Sequence, residues 1–169
     1  EVVLRRAIFR GRMEAELARL NKHHQLSAIV GSSSAMEHLR SQIAASARSD
    51  ITVVLEGPTG SGKELAARCL HAQGARARGP FVTVSCGLLA GDMLMSELFG
   101  HVRGAFSGAT DNRRGLIEEA SGGTLLLDDI AAAPPQAQTA LLRVLEEGVV
   151  RPVGSAESRK VDVRFLATS

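Results

Sequence analysis

Apolar positions fall into two regimes along this chain. Up to residue 50 they recur at helical spacing. Phe9, Met13, Leu17 and Leu20 stand at i, i+4, i+8 and i+11 with Arg and Glu between them, which predicts an amphipathic helix over residues 1–25. That stripe fits either a helix packed on the following domain or a linker helix that pairs as a short coiled coil; Gly11 weakens both. Met36, Leu39, Ile43 and Ala47 form a second stripe behind Ser34-x-x-Glu37, which reads as a capping box at a helix start. Beyond residue 50 the pattern changes to short apolar runs, predicting strands over 51–56, 81–85, 124–127 and 161–167, with helical stretches at 63–73 and 136–147. Near-continuous apolar strands separated by helices predict an α/β fold, a parallel sheet covered by helices on both faces.

Composition narrows this further. At 169 residues the chain has room for about one domain with a real core. A net charge of +2 argues against a body that binds nucleic acid by phosphate neutralisation alone. Cys69 and Cys86 are too few for a disulfide framework and lack zinc-site spacing, so a reducing cytoplasm is the simplest compartment. No apolar run approaches the ~20 residues of a membrane span, and no signal-peptide pattern opens the sequence. A start at Glu1-Val2-Val3-Leu4 and a stop at Ser169 read as a fragment of a longer protein.

Chemistry enters at the turn after the first strand. Gly57-Pro58-Thr59-Gly60-Ser61-Gly62-Lys63 fits the G-x-x-x-x-G-K phosphate loop, placed between a strand and a helix as its mechanism requires. Glycines let backbone N–H groups turn inward around a phosphate, the helix start adds partial positive charge, and Lys63 bridges β- and γ-phosphates. Glu64 follows where most such loops place a magnesium-binding Ser or Thr, which argues against small-molecule kinases and GTPases. The run Gly122-Gly123-Thr124-Leu125-Leu126-Leu127-Asp128-Asp129 carries two acids to a strand's C-terminal end, beside the loop in a parallel sheet. Asp128 is expected to hold hydrated Mg²⁺ and Asp129 to act as general base on the attacking water.

Between these motifs lies Glu97-Leu98-Phe99-Gly100-His101-Val102-Arg103-Gly104-Ala105-Phe106-Ser107-Gly108-Ala109. Small residues surround Phe106 in a chain with 5 Phe and no Trp or Tyr, which suggests a flexible loop presenting one apolar side chain. His23, His24, His38 and His71 lack ligand spacing and read as solvated or capping residues, and His101 reads as shaping the loop base. Arg76 and Arg78 read as a solvated turn, and Cys86 as a small core hydrophobe.

These residues resemble one family, the bacterial sigma-54-dependent transcription activators, or enhancer-binding proteins, of the AAA+ ATPase superfamily. Its patterns G-E-S-G-T-G-K-E, E-L-F-G-H-x-x-G-A-F-T-G-A, G-G-T-L-F-L-D-E-I and L-L-R-V-L-Q-E-G correspond to residues 57–64, 97–109, 122–130 and 141–148. The resemblance spans about 28–169 and makes residues 26–169 the N-terminal part of a sigma-54 interaction domain, cut before its helical lid. It implies an ATP- and Mg²⁺-dependent ATPase that remodels sigma-54 RNA polymerase. Ile29, Val30 and Gly31 would line the adenine pocket, Gly57 to Leu65 (with Glu64) the phosphates, and Ala120, Ser121 and the run through Asp129 would hold magnesium and water. Gly104, Ala105, Phe106, Ser107, Gly108 and Ala109 would grip sigma-54. The same resemblance makes the 1–25 helix a linker from a receiver domain in a two-component regulator, with a homo-oligomeric ring, and DNA contacted only by a further domain.

Departures from the pattern carry chemistry. Asp129 replaces the family's catalytic Glu and pulls the carboxylate back by more than ~1 Å, an error worth on the order of 100-fold where positioning matters. Ser85 stands where the family has an Asn that restrains that Glu until sigma-54 engages. Ser107 replaces a Thr and Ala131-Ala132 a Gly-Glu. The arginines that a neighbour contributes to the family's site lie outside the chain, which is therefore not expected to hydrolyse ATP alone. Three functions stay open on these residues: the ATP-driven activator, a nucleotide-responsive binding module with hydrolysis disabled, and another AAA+ machine, which residues 97–109 argue against.

Overall fold

The computed structural model describes residues 29–89 and 91–169, so the helix expected over 1–25 lies outside the described residues. Four parallel strands, in the spatial order 53–55, 164–168, 124–128 and 81–85, form the central sheet. They are β1 (Val53–Leu55), β2 (Phe81–Ser85), β5 (Thr124–Asp128) and β8 (Arg164–Thr168). Two hairpins stand apart from it: β3 (Gly100–His101) with β4 (Arg113–Arg114), and β6 (Val149–Val150) with β7 (Arg159–Lys160).

Alternation along the two inner strands explains the layers. Leu126 and Leu166 point to one face, where they pack with α1 (Ser34–Ser46) and α2 (Lys63–Gln73) through Ile43, Ala66, Ala67 and Leu70. Leu125, Leu127, Phe165 and Ala167 point to the other. There they meet Leu94 and Leu98 of α3 (Gly91–Phe99), Ile117 of α4 (Leu116–Glu119), and Ala137, Leu141 and Val144 of α5 (Pro135–Glu147). The expected α/β fold is therefore present, with helices on both faces.

Several local expectations are corrected. Ser33, not Ser34, caps α1: its hydroxyl accepts the Met36 N–H at 3.4 Å. The strand expected from 161 begins at Arg164, because Val161 N–H bonds Gly148 O and Asp162 O accepts the Gly122 N–H at 2.8 Å. His71 is buried rather than solvated, bonded to Thr124 Oγ1 at 2.9 Å. Arg76 is an ion-pair hub joining Asp50 and Asp162, not a free turn residue. No helix among the described residues is long and apolar enough to cross a membrane.

Candidate functional site

At the C-terminal edge of the sheet β1 gives way to the 57–63 loop, and the loop's geometry follows from its glycines. Gly62 caps α2 at φ 90°, a left-handed conformation that a side chain would strain, and being glycine it gives the helix start no side-chain cap bond. Gly62, Lys63 and Glu64 border the cavity there, so the positive end of the helix dipole lies at its wall, an arrangement suited to an anion. Ser61 N–H closes a turn on Pro58 O at 3.1 Å. Lys63 folds its ammonium onto neutral carbonyls, Gly57 O at 2.6 Å and Pro58 O at 3.2 Å, and forms no ion pair with any described residue.

The acids arrive from β5. Asp128 lies across from Ser85 in register, and Cys86 N–H bonds Asp128 O at 2.8 Å. Asp129 follows in the left-handed region at φ 53°, ψ 57°, unique among described residues other than glycine. This turn swings its carboxylate toward Gly87, where a Cβ would lie 3.3 Å from Asp129 Oδ2. Burial first, then the charges of Asp128 and Asp129, push the Cys86 thiol up to about 11, so it stays a neutral packing group.

Loop and acids share one cavity of about 760 Å³. Its walls include Gly57, Gly60, Lys63, Ser85, Asp128 and Asp129. The site's two halves are joined by the end of β8, which the sequence did not single out. Gly57 N–H bonds Ser169 O at 3.2 Å, Ser169 N–H bonds Leu55 O at 3.1 Å, and the Thr168 hydroxyl donates to Asp128 Oδ1 at 2.6 Å. Only the strand order, with β8 seated between β1 and β5, brings these residues in.

Other expected site residues stand elsewhere. Of the run 120–129, only Asp128 and Asp129 reach the cavity. Ala120 and Leu125 to Leu127 are core, and Ser121, Gly122, Gly123 and Thr124 sit at the opposite end of β5, about 13 Å away at 3.3 Å per residue. Ile29, Val30 and Gly31 do not line this cavity: Ile29 is buried against α1 and α2, Val30 is 84% exposed, and Arg40 bonds Ile29 O at 2.7 Å and also Gly31 O. Ser61 and Leu65 also stand outside its walls.

The 104–109 loop rises from the β3–β4 hairpin. Gly104 N–H bonds Ala109 O at 2.8 Å across its neck, and Asn112 Oδ1 accepts Arg103 N–H at 2.7 Å. Phe106 is 45% exposed and meets the His101 ring edge-on at 5.0 Å, while His101 Nδ1 lies 2.7 Å from Ser96 Oγ on α3. His101 thus couples the loop to a core helix.

Known proteins resemble this chain in sequence and in fold. Residues 29–169 match the model of the Sigma-54 interaction domain family. The chain is 49% identical over 144 residues to the Nif-specific regulatory protein of Rhodobacter capsulatus, covering 85% of this chain and 25% of the relative. It is 50% identical over 141 residues to the transcriptional regulatory protein ZraR of Salmonella typhimurium, covering 83% of this chain and 32% of that one. The crystal structure of NtrX from Brucella abortus in complex with ATP superposes with TM-score 0.77 at 36% identity, over 97% of this chain and 36% of that one. The chain thus spans a quarter to a third of the length of these relatives, and with the phosphate loop, the paired acids and the 97–109 segment in place it belongs to the Sigma-54 interaction domain family.

Proposed function

We propose that this domain binds ATP with magnesium in the 57–63 loop and, within a homo-oligomer, hydrolyses it to drive the 104–109 loop against sigma-54 of RNA polymerase. The observation that carries the reading is the convergence of two segments about 65 residues apart on one cavity: a lysine whose partners among the described residues are neutral carbonyls, and a helix start without a side-chain cap, share it with a pair of carboxylates. A polyphosphate fits that electrostatic division. On binding, Lys63 exchanges the Gly57 and Pro58 carbonyls for β- and γ-phosphate oxygens, and the first amides of α2 take the remaining charge.

The donor set fits magnesium, which prefers few carboxylates with phosphate and water: Asp128 borders the cavity and keeps one carboxylate oxygen free of Thr168. A magnesium ion held by Asp128 would supply charge neutralisation on the phosphates. Asp129 takes a proton from the water that attacks the γ-phosphorus, and ADP and phosphate leave. Phe106 and Ser107 carry the contact with sigma-54 at the loop tip, and DNA is reached through another domain of the parent protein.

ATP turnover per subunit of the full-length protein, measured against protein concentration, tests this. Specific activity should climb with concentration and vanish in Lys63→Ala together with nucleotide binding. Nucleotide binding without turnover at any concentration would overturn the motor reading.

A further inference from the structure

One side chain in the cavity has no role in the chemistry above, yet it touches both acids. Thr168 is 1% exposed at the end of β8, and its hydroxyl serves two partners. It donates to Asp128 Oδ1 at 2.6 Å, in the range of a charge-assisted O–H···O⁻ bond, and accepts the Asp129 N–H at 2.9 Å. The first bond fixes which carboxylate oxygen of Asp128 turns to the cavity. The second holds the left-handed peptide that aims Asp129 at Gly87. The next residue, Ser169, bonds the backbone of Gly57, so the same strand end fixes the acids and the phosphate loop relative to each other.

We infer that Thr168 is a positioning residue that orients Asp128 toward the nucleotide-bound magnesium. This rests on the reading of the cavity as a magnesium–nucleotide site. Its β-branched side chain suits the task, since χ1 is restricted and the hydroxyl cannot swing away as a serine's can. Partners of metal-binding carboxylates commonly matter 10- to 100-fold in metal affinity.

The test is equilibrium binding of a fluorescent ADP analogue to the full-length protein, titrated with magnesium and again in EDTA. In Thr168→Val the magnesium-dependent gain in affinity should fall by about 10- to 100-fold while affinity in EDTA stays unchanged. Thr168→Ser, which keeps the hydroxyl, should restore most of the gain. If Thr168→Val does not remain folded, Thr168→Cys retains the volume with a weaker donor and should show a smaller loss in the same direction. A variant without the hydroxyl that keeps the wild-type magnesium dependence overturns the inference and leaves the proposed function standing, as does one that loses affinity equally in EDTA. A wild-type protein with no magnesium-dependent binding overturns the proposed function, and this inference with it.

Discussion

Replacing Asp129 by glycine and, separately, by alanine isolates the backbone of the turn from the chemistry of its carboxylate. Both variants remove the acid, so both should lose turnover. Both also keep the Asp129 N–H bond to Thr168 and remove the same charge. They differ in the left-handed backbone, φ 53° and ψ 57°. Holding alanine there costs about 1–2 kcal/mol, whereas glycine costs about 0.5–1 kcal/mol more chain entropy on folding. The glycine variant should therefore be the more stable by about 0.5–1 kcal/mol, or about 1–4 °C in melting temperature for a domain of this size. With no Trp or Tyr in the chain, intrinsic fluorescence is a poor probe, and thermal unfolding by far-UV circular dichroism is the suitable assay. An alanine variant as stable as the glycine variant, or more so, would show that the turn is not held left-handed, and the account of how Asp129 is aimed would fail with it.

Burial first, and then Arg164, hold the His71 imidazole below its ordinary 6.5, so the unfolded chain binds the proton more readily. Stability should be fully present above about pH 6.5 and decline as pH falls below it, and chemical denaturation of His71→Asn should show a flatter profile. Gly79→Ala would drive its Cβ into the Gly122 carbonyl and within 2.9 Å of Gly123 Cα; a loss of about 3 kcal/mol or more in urea unfolding is expected. Phe106→Ala removes a half-exposed ring and should change stability by less than about 0.5 kcal/mol while abolishing sigma-54-dependent transcription in a reconstituted assay.

Local punctuation makes part of this fold legible in the sequence. The helix at 63–73 and the strand at 81–85 occupy the expected residues because Gly62, Gly74 and Pro80 bound them. The strand expected at 161 was misplaced because Val161 and Val163 alternate as a strand does, yet Val161 is drawn to Gly148 and Asp162 to Arg76, partners far away in the chain. In the site, Lys63, Asp128 and Asp129 carry their own motifs. The family resemblance places residues 120–127 beside the ligand, whereas of the run 120–129 only Asp128 and Asp129 border the cavity, because a strand carries its early residues away from its end. Thr168 had no local signature at all, since a hydroxyl at a strand's end gains meaning only from the strand next to it.

The placement of β5 sets an order of loss on heating. Leu125 and Leu127 are enclosed on one side and Leu126 on the other, so their amides should exchange hydrogen slowest and open only when the whole domain does. β1, three residues long and paired with β8 alone among the described strands, leaves Val54 half-exposed and supports the phosphate loop on a weaker footing. Warming should therefore loosen the loop while the carboxylates still hold their places. Activity would then fade below the temperature at which secondary structure is lost, and a bound nucleotide, which fastens the loop to the acids, would narrow that gap.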